Sequence, residues 1–333
     1  MADGIAVIIP HYQRVSGVLA RTLAAVFAQD CAESLSVIIV DDESPTPAAA
    51  ELDALDDSAR ARTQIIKRPN GGPAAAKNTG LMAVPDGSAY IALSDCDDLW
   101  KPWHLSRGMA AMRLGYDLFF CDHRREGSEI SQFERCGIKR DQHTRVDEEH
   151  DLYVWAGDLF DACLRASIVG LSTVLLRRDA FPGLTFAEDA GFADDILFAL
   201  DAARAVKVAF SFSEDVFYTA ADNASIVSDW YSAKSLRVIL TLSLCYNKIL
   251  REYDVTAAQR DFLRTRVRET RKDFAAVTVG LLFRDGKVEP RDFMRFLRVD
   301  RALPVEIVRT ILRIIHKRLP GGRRVSPGGA RRR

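Results

Sequence analysis

These 333 residues contain no long apolar run, no excess of one charge and no paired cysteine spacing. Each absence removes a class of protein. A bilayer span needs about 20 consecutive apolar residues, and no stretch approaches that. No signal-like segment precedes Ile5, so a cytoplasmic protein is the simplest expectation. Lys and Arg number 46 and Asp and Glu number 46, for a formal net charge of zero, so the chain as a whole is not expected to bind nucleic acid. Cys31, Cys96, Cys121, Cys136, Cys163 and Cys245 offer no Cys-x-x-Cys spacing. That argues against a zinc site and for free thiols in a reducing compartment, with Cys96 and Cys121 as small buried residues. No internal repeat occurs, and only residues 320–333 are low in complexity.

The neutral total hides an asymmetry. From Pro290 onward, 13 Lys or Arg face only Asp292, Asp300 and Glu306, a net +10 that leaves the rest of the chain at −10. At 48% hydrophobic residues, the chain can bury a large core and allows one large domain with additions, or two domains.

What is present is a set of apolar runs that each end in polar residues. Ile5-Ala6-Val7-Ile8-Ile9-Pro10 reads as a buried strand stopped by proline, with His11, Tyr12, Gln13 and Arg14 at its tip. Leu35-Ser36-Val37-Ile38-Ile39-Val40 ends in Asp41, Asp42, Glu43, Ser44 and Pro45. Residues 64–69 lead into Asn70-Gly71-Gly72-Pro73 and on to Lys77-Asn78. Ala89-Tyr90-Ile91-Ala92-Leu93 is followed by Asp95, Cys96, Asp97 and Asp98. In an open parallel sheet, ligands sit beyond the carboxyl ends of the strands, and carboxylates gathered there repel one another unless a cation neutralises them. Hard oxygen ligands suit magnesium or manganese bridging to phosphates. Taken singly, each motif has a plainer reading. An Asp-x-Asp is a solvated turn, Asp41 and Asp42 cap a helix, Gly71-Gly72 makes a tight turn, and Lys77 is a solvated helix residue.

Helical composition over residues 17–29, 45–60 and 73–84 alternates with these strands, which predicts a mostly parallel sheet. Residues 116–121 read as a further strand and residues 152–166 as a helix. The charged, aperiodic residues 122–151 between them read as an insertion or mobile loop. Strands are expected near residues 172–176 and 205–210, with a helix over 192–204. After Val227 the pattern becomes long helices over 229–253, 256–284 and 304–318, with breaks at Pro290 and Pro304.

The ordered set of motifs resembles the GT-A-fold glycosyltransferases of family 2, which move a sugar from a nucleotide-sugar donor. The matching pieces are Val7 to Arg14, Val40 to Ser44, Asn70 to Gly72 with Lys77-Asn78, and Ser94 to Asp98. Beyond them, Ser172 to Arg178 look like the acceptor-side strand, and Phe192-Ala193-Asp194-Asp195-Ile196-Leu197-Phe198 like the catalytic acidic pair. The resemblance covers about residues 4–227. It implies an α/β fold with a Rossmann-like, mostly parallel sheet flanked by helices. Residues 1–227 form the catalytic domain, with a donor half over about 1–121 and an acceptor half over about 152–227. A helical region over 228–318 and a basic disordered tail over 319–333 follow.

By the same resemblance Pro10, Tyr12, Arg14, Asp42, Asn70, Gly71, Gly72, Lys77 and Asp95 bind the donor. Asp97 holds Mn2+ or Mg2+, and Lys77 is the cation nearest the diphosphate. Asp195 is the base, with Asp194 orienting it or contacting the acceptor, and Asp98 ranks below Asp97 as a neighbour or cap. Two departures stand out. Lys77 occupies a place where the family usually has arginine, and Asp194-Asp195 one where it usually has Glu-Asp. A literal Glu188-Asp189 lies upstream but lacks the apolar helical run that follows Asp195. The implied reaction is an inverting single displacement from a nucleoside-diphosphate sugar, UDP favoured, onto a saccharide or lipid-linked saccharide hydroxyl in polysaccharide or glycoconjugate synthesis.

Two other classes compete. A nucleotidyltransferase acting on sugar phosphates would want a Gly-rich basic loop after the first strand, which Pro10 to Arg14 do not supply. A degenerate carbohydrate-binding scaffold would not need Asp97 and Asp195. Trp100, Trp103, His104, His123, Trp155 and Trp230 are candidates to stack on sugars, although isolated aromatics more often pack. His123, His143 and His150 show no metal-ligand spacing. Residues 218–228 resemble a mobile segment that folds over the donor. Val305, Ile307, Val308, Ile311, Leu312, Ile314 and Ile315 make an apolar stripe beside Arg309, Arg313, Lys317 and Arg318. That stripe reads either as a peripheral contact with an anionic membrane or as a helix packed on the protein.

Overall fold

The computed structural model describes residues 4–219, 229–284 and 288–318. The chain divides into two compact units, Met1–Asn223 and Ala224–Arg333.

The first unit is built on β1 (Gly4–His11), whose Ile5 to Ile9 are buried without a break. An unbroken apolar strand must be covered on both faces, which is the environment of a parallel sheet. β1 pairs in parallel with β2 (Leu35–Asp41), which pairs in parallel with β3 (Thr63–Lys67). The connections run through α1 (Val18–Phe27), the short α2 (Asp57–Ala61) and α3 (Pro73–Met82). On its other edge β1 pairs in parallel with β4 (Ser88–Leu93). These four strands end on one side, so the tips of β1, β2, β3 and β4 converge there.

Next come β5 (Leu99–Trp100), α4 (His104–Arg113), β6 (Leu118–Arg125), α5 (Gln132–Cys136), β7 (Thr144–Asp147), β8 (Leu152–Val154) and α6 (Leu159–Arg165). β9 (Leu175–Arg177), α7 (Asp194–Ala205) and β10 (Val208–Tyr218) complete the unit. Among the described residues ten strands form one sheet in the order β3-β2-β1-β4-β9-β6-β10-β8-β7, with β5 on β10. β10 runs parallel to β6, while the short β9, β5, β8 and β7 pair antiparallel.

Three segments differ from the sequence expectation. Residues 122–151 are ordered rather than a mobile loop. β6 runs on to Arg125, and β7 and β8 add an antiparallel pair at the sheet edge. An aromatic cluster pins that pair, with Phe210 within 5.0–5.9 Å of His143, Trp155, Tyr153, Phe133, Phe212 and Phe120. Arg140 adds a 2.6 Å ion pair to Asp151. The surface charges of this hairpin had hidden its core. Residues 152–154 belong to β8, so the helix expected over 152–166 begins only at Leu159, capped by Asp158. Residues 45–60 form a 3-10 turn (Ala48–Ala54) and α2 instead of one helix. Glu51 in that turn reaches α1, where its carboxylate accepts from the backbone N–H groups of Gly17 at 2.9 Å and Ala20 at 3.2 Å. An acid from elsewhere thus satisfies the positive end of a helix that has no side-chain cap of its own.

The second unit consists of α8 (Ala233–Glu252), α9 (Ala257–Leu282), α10 (Pro290–Val299) and α11 (Leu303–Arg318). A capping box between Thr256 and Gln259 starts α9. Its core joins Leu236, Ile239, Leu240, Phe274, Leu281, Phe296 and Leu303, with Phe274 and Phe296 stacked at 4.2 Å. α10 was not expected as a helix. Pro290 begins it rather than breaking one, because proline suits the first helical position. The expected tail over 319–333, and residues 220–228 of the expected donor-covering segment, lie outside the described residues.

Candidate active site

At the tip of β2 two adjacent acids do different work. Asp41 accepts from Ser44 N at 2.8 Å and Ala48 N at 2.9 Å, capping the 3-10 turn. Asp42 turns the other way and holds the loop that enters α3. Its carboxylate accepts from Gly71 N at 3.1 Å, Gly72 N at 2.8 Å and Arg68 Nη1 at 3.1 Å. Asn70 Nδ2 donates to the Asp42 carbonyl at 2.9 Å. Gly72 takes φ +87°, a conformation that glycine alone adopts without strain, and this aims both N–H groups at the acid. Asp42, Asn70, Gly71 and Gly72 are therefore one hydrogen-bonded unit. Tyr12 and Arg14 stand exposed at the tip of β1, with the Arg14 guanidinium 5.3 Å from the Tyr12 ring centre, while Pro10 lies within β1 opposite Val40.

The second acidic group lies where β4 and α7 meet. Lys77, on α3, is only 4% exposed and places its ammonium 2.6 Å from Asp194 Oδ2, itself 2% exposed. The same ammonium sits 5.0 Å over the Phe186 ring. The expected diphosphate cation is thus tied in this structure to the first residue of α7. Asp95 is open to solvent yet walled in by protein, the signature of a cleft. Its backbone N–H donates to Ser172 Oγ at 2.9 Å. Burial raises its pKa, helped by Asp194 and opposed by Lys77. Asp195 behaves likewise. Burial pushes it up to about 7, with Asp194 and Asp95 adding to the rise and Lys77 and the Ile196 N–H opposing it. Carboxylates at a helix N-terminus ordinarily gain from its dipole. Here desolvation and like charge outweigh that gain.

Asp98 is buried, and burial with Asp95 and Asp97 raises its pKa well above the usual carboxylate range. Its Oδ2 has no hydrogen-bond partner among the described residues. Crowded carboxylates with an orphaned oxygen fit a small hard cation. Asp97, half-buried, has its backbone oxygen fixed by Thr219 Oγ1 at 2.8 Å.

The upstream Glu188-Asp189 pair is exposed. Glu188 is held by Asn78 Nδ2 at 3.0 Å, and Asn78 also clamps the backbone of Phe186. A separate group, His104, Cys121 and Asp215, brings its ligand atoms within 4.8 Å of one another in the core. It makes a poor metal site. Asp215 already accepts from Trp103 Nε1 at 2.8 Å, Ser213 Oγ at 2.6 Å and Arg107 Nε at 2.8 Å, so its charge is paired. Of the candidate stacking residues, Trp100 is buried with its indole bonded to the Ser172 carbonyl, and Trp155 packs on His143. His104 is likewise in the core.

Tyr218, at the end of β10, entered the sequence reading only as the first residue of the segment expected over the donor. Its environment includes Asp98, Asp95 and Asp195, and its ring stacks on His123 at 4.2 Å. An aromatic at a strand end looks like core packing, and no local signal sets it apart.

With this geometry in place, comparison with known proteins shows what the chain is similar to. The model of "Glycosyl transferase family 2" matches residues 6–163, which contain the tips of β1, β2, β3 and β4. Over that stretch the chain is similar to glycosyl transferase family 2. The succinoglycan biosynthesis protein ExoW of Rhizobium meliloti (strain 1021) is 35% identical over 206 residues, 61% of this chain, and the chain spans 64% of that protein's length. Among solved structures, S. aureus TarS 1-349 superimposes with a TM-score of 0.56 at 15% identity, covering 94% of this chain and 90% of TarS 1-349. The mannosyltransferase PcManGT from Pyrobaculum calidifontis, in complex with GDP-Man and Mn2+, does so with a TM-score of 0.54 at 14% identity, covering 93% and 84%. At such identities these two show the fold alone. It is of the GT-A type, a mixed α/β sheet with a helical C-terminal region, as the motifs imply.

Proposed function

We propose that this family 2 chain transfers a sugar from a nucleoside-diphosphate sugar, UDP favoured, to a saccharide hydroxyl during assembly of a polysaccharide. The observation that carries the reading is Asp195, a carboxylate held in a cleft beside Asp95 with its pKa near 7. A general base works best when its pKa lies near the working pH. As the acceptor oxygen bonds to the anomeric carbon, its proton passes to Asp195. The bond from that carbon to the diphosphate breaks, and the electron pair leaves with the diphosphate. One displacement with one base inverts the anomeric centre. Asp194 fixes the start of α7, and Asp42 with Asn70, Gly71 and Gly72 forms the wall for the nucleoside. Asp97 is the residue that would hold manganese or magnesium, whose charge stabilises the departing diphosphate. The relative named for succinoglycan biosynthesis supports the polysaccharide setting. TarS 1-349 in complex with UDP-GlcNAc supports the UDP donor.

A thermal-shift panel of UDP, GDP, dTDP and CMP, each with manganese or EDTA, tests the reading on wild type and Asp97→Ala. One nucleotide should stabilise the wild type in a manganese-dependent way that the variant loses. No shift with any nucleotide would refute it.

The second unit supports a sideways contact with an anionic membrane. No helix among the described residues is long and apolar enough to cross one. On α11, however, Ile307 packs inward while Val305, Val308, Leu312 and Ile315 are 50–58% exposed in a row. Arg309 and Arg313 border that row, and the only acid on the helix, Glu306, is buried. The net +10 after Pro290 opposes a second copy and favours anionic lipid, including a lipid-linked acceptor. Flotation with phosphatidylglycerol vesicles at low salt should carry the protein up. Failure to float would sink this contact.

A further inference from the structure

β10 pairs antiparallel with β5, Val216 opposite Trp100 and Phe217 opposite Leu99. Carried two residues further, that register sets Tyr218 opposite Asp98 and Thr219 opposite Asp97. The Thr219 Oγ1 bond to the Asp97 carbonyl shows that it does run on. The Tyr218 ring is fixed from two sides. His123 stacks on it at 4.2 Å and 21°. Gly170 leaves the space its hydroxyl fills, since a Cβ there would lie 2.0 Å from Tyr218 Oη. The ring is thus locked while the hydroxyl bonds to no protein group among the described residues. Tyr218 is only half-buried, and its hydroxyl is absent from the sealed, unpartnered polar atoms, so it remains reachable. His123 is the reverse case, 2% exposed with neither ring nitrogen partnered.

A tyrosine held rigidly by packing, with an open and unused hydroxyl, is a binding group waiting for a polar partner. Its neighbours fix the chemistry of that partner. Asp98 lies opposite it in the continued register, and Asp95 and Asp195 are the other acids of its environment. A phenol keeps its proton at neutral pH, which leaves it an O–H donor. Burial drives His123 down to about 3, so it is neutral and adds no positive charge. The partner is therefore an oxygen lying between the Asp95–Asp97 side of the cleft and the base.

We infer that Tyr218 is a specificity-determining residue that donates to one hydroxyl of the transferred sugar, with His123 as the positioning residue that holds its ring. This rests on the glycosyl-transfer reading, because in that reaction the sugar must bridge the diphosphate side of the cleft and Asp195.

Wild type, Tyr218→Phe and Gly170→Ala are assayed for nucleotide release from UDP-glucose, UDP-galactose and UDP-GlcNAc, and for stabilisation by UDP with manganese. Phenylalanine keeps the stack and removes one oxygen. Alanine at 170 keeps the oxygen and displaces it. Both variants should retain the UDP-induced shift and lose about tenfold in kcat/KM for the preferred sugar, as expected for one lost hydrogen bond. The ratio between that sugar and its epimer should fall towards one. A retained UDP shift with an unchanged ratio overturns the inference while leaving the transferase reading intact. Loss of the UDP shift in Tyr218→Phe, with an unchanged melting temperature in the absence of ligand, also overturns it, because Tyr218 then serves the nucleotide. A wild type that no nucleotide stabilises overturns both readings.

Discussion

The two acidic tips of the sheet are opposites. At β2 every acid is provided for, with Asp42 collecting two backbone N–H groups and a guanidinium, and Asp41 two more N–H groups. Where β4 meets α7, Asp95, Asp194 and Asp195 share Lys77, and Asp98 keeps a buried oxygen without a partner. A satisfied carboxylate stabilises the fold. An unsatisfied one is kept at a cost and marks the place where chemistry is done. The same residue type thus serves as a girder at one tip and, under the proposed role, as a reagent at the other.

The sharpest way to break this contrast is Asp195→Asn. Under the proposed role, turnover should fall by about 10²- to 10⁴-fold. Stabilisation by nucleotide should be unaffected, as thermal shift would show. Lys77→Met should come next, because it strands a buried carboxylate. A loss of about 3–5 kcal/mol is expected in urea unfolding, and a loss under 1 would mean that Asp194 finds water. Asp42→Ala should cost about 1–3 kcal/mol by leaving the N–H groups of Gly71 and Gly72 without their acceptor.

The smallest effect sharpens the contrast from the other side. Asp195 has a folded pKa of about 7, above its ordinary value, so folding favours its protonated form. The wild type is therefore most stable, as far as this group goes, below the ordinary carboxylate range, and it loses that contribution as pH rises through 7. Asp195→Asn should then melt higher than wild type at pH 8, with the gap closing towards pH 4. Wild-type kcat/KM should rise with pH through about 7 as the base ionises.

Much of the donor side could be read in advance, because long apolar runs punctuated by Pro10, Asp41, Pro69 and Asp95 define strand tips locally. The acidic pair at the start of α7 was also visible from the apolar run behind it. The hairpin of β7 and β8 was not, since strands of four and three residues carry too little periodicity and gain their core only from Phe210, over fifty residues on. Asp41 and Asp42 could not be told apart by sequence, because which way each carboxylate turns depends on a loop closed by Gly72. Tyr218 could be read only as the start of a covering segment, for a similar reason. Its setting is made by Asp98, His123 and Gly170, none of them a sequence neighbour.

The bond from Lys77 to Asp194 spans 117 positions of sequence. Its two ends are the two places where the resemblance to family 2 leads one to expect other residues, arginine for Lys77 and glutamate for Asp194. In the language of inheritance, these are not two departures but one. Each substitution alone would leave a buried charge badly matched in reach, and the pair restores contact with a shorter acid and a compact cation. Positions 77 and 194 should therefore covary down the lineage, changing together or not at all.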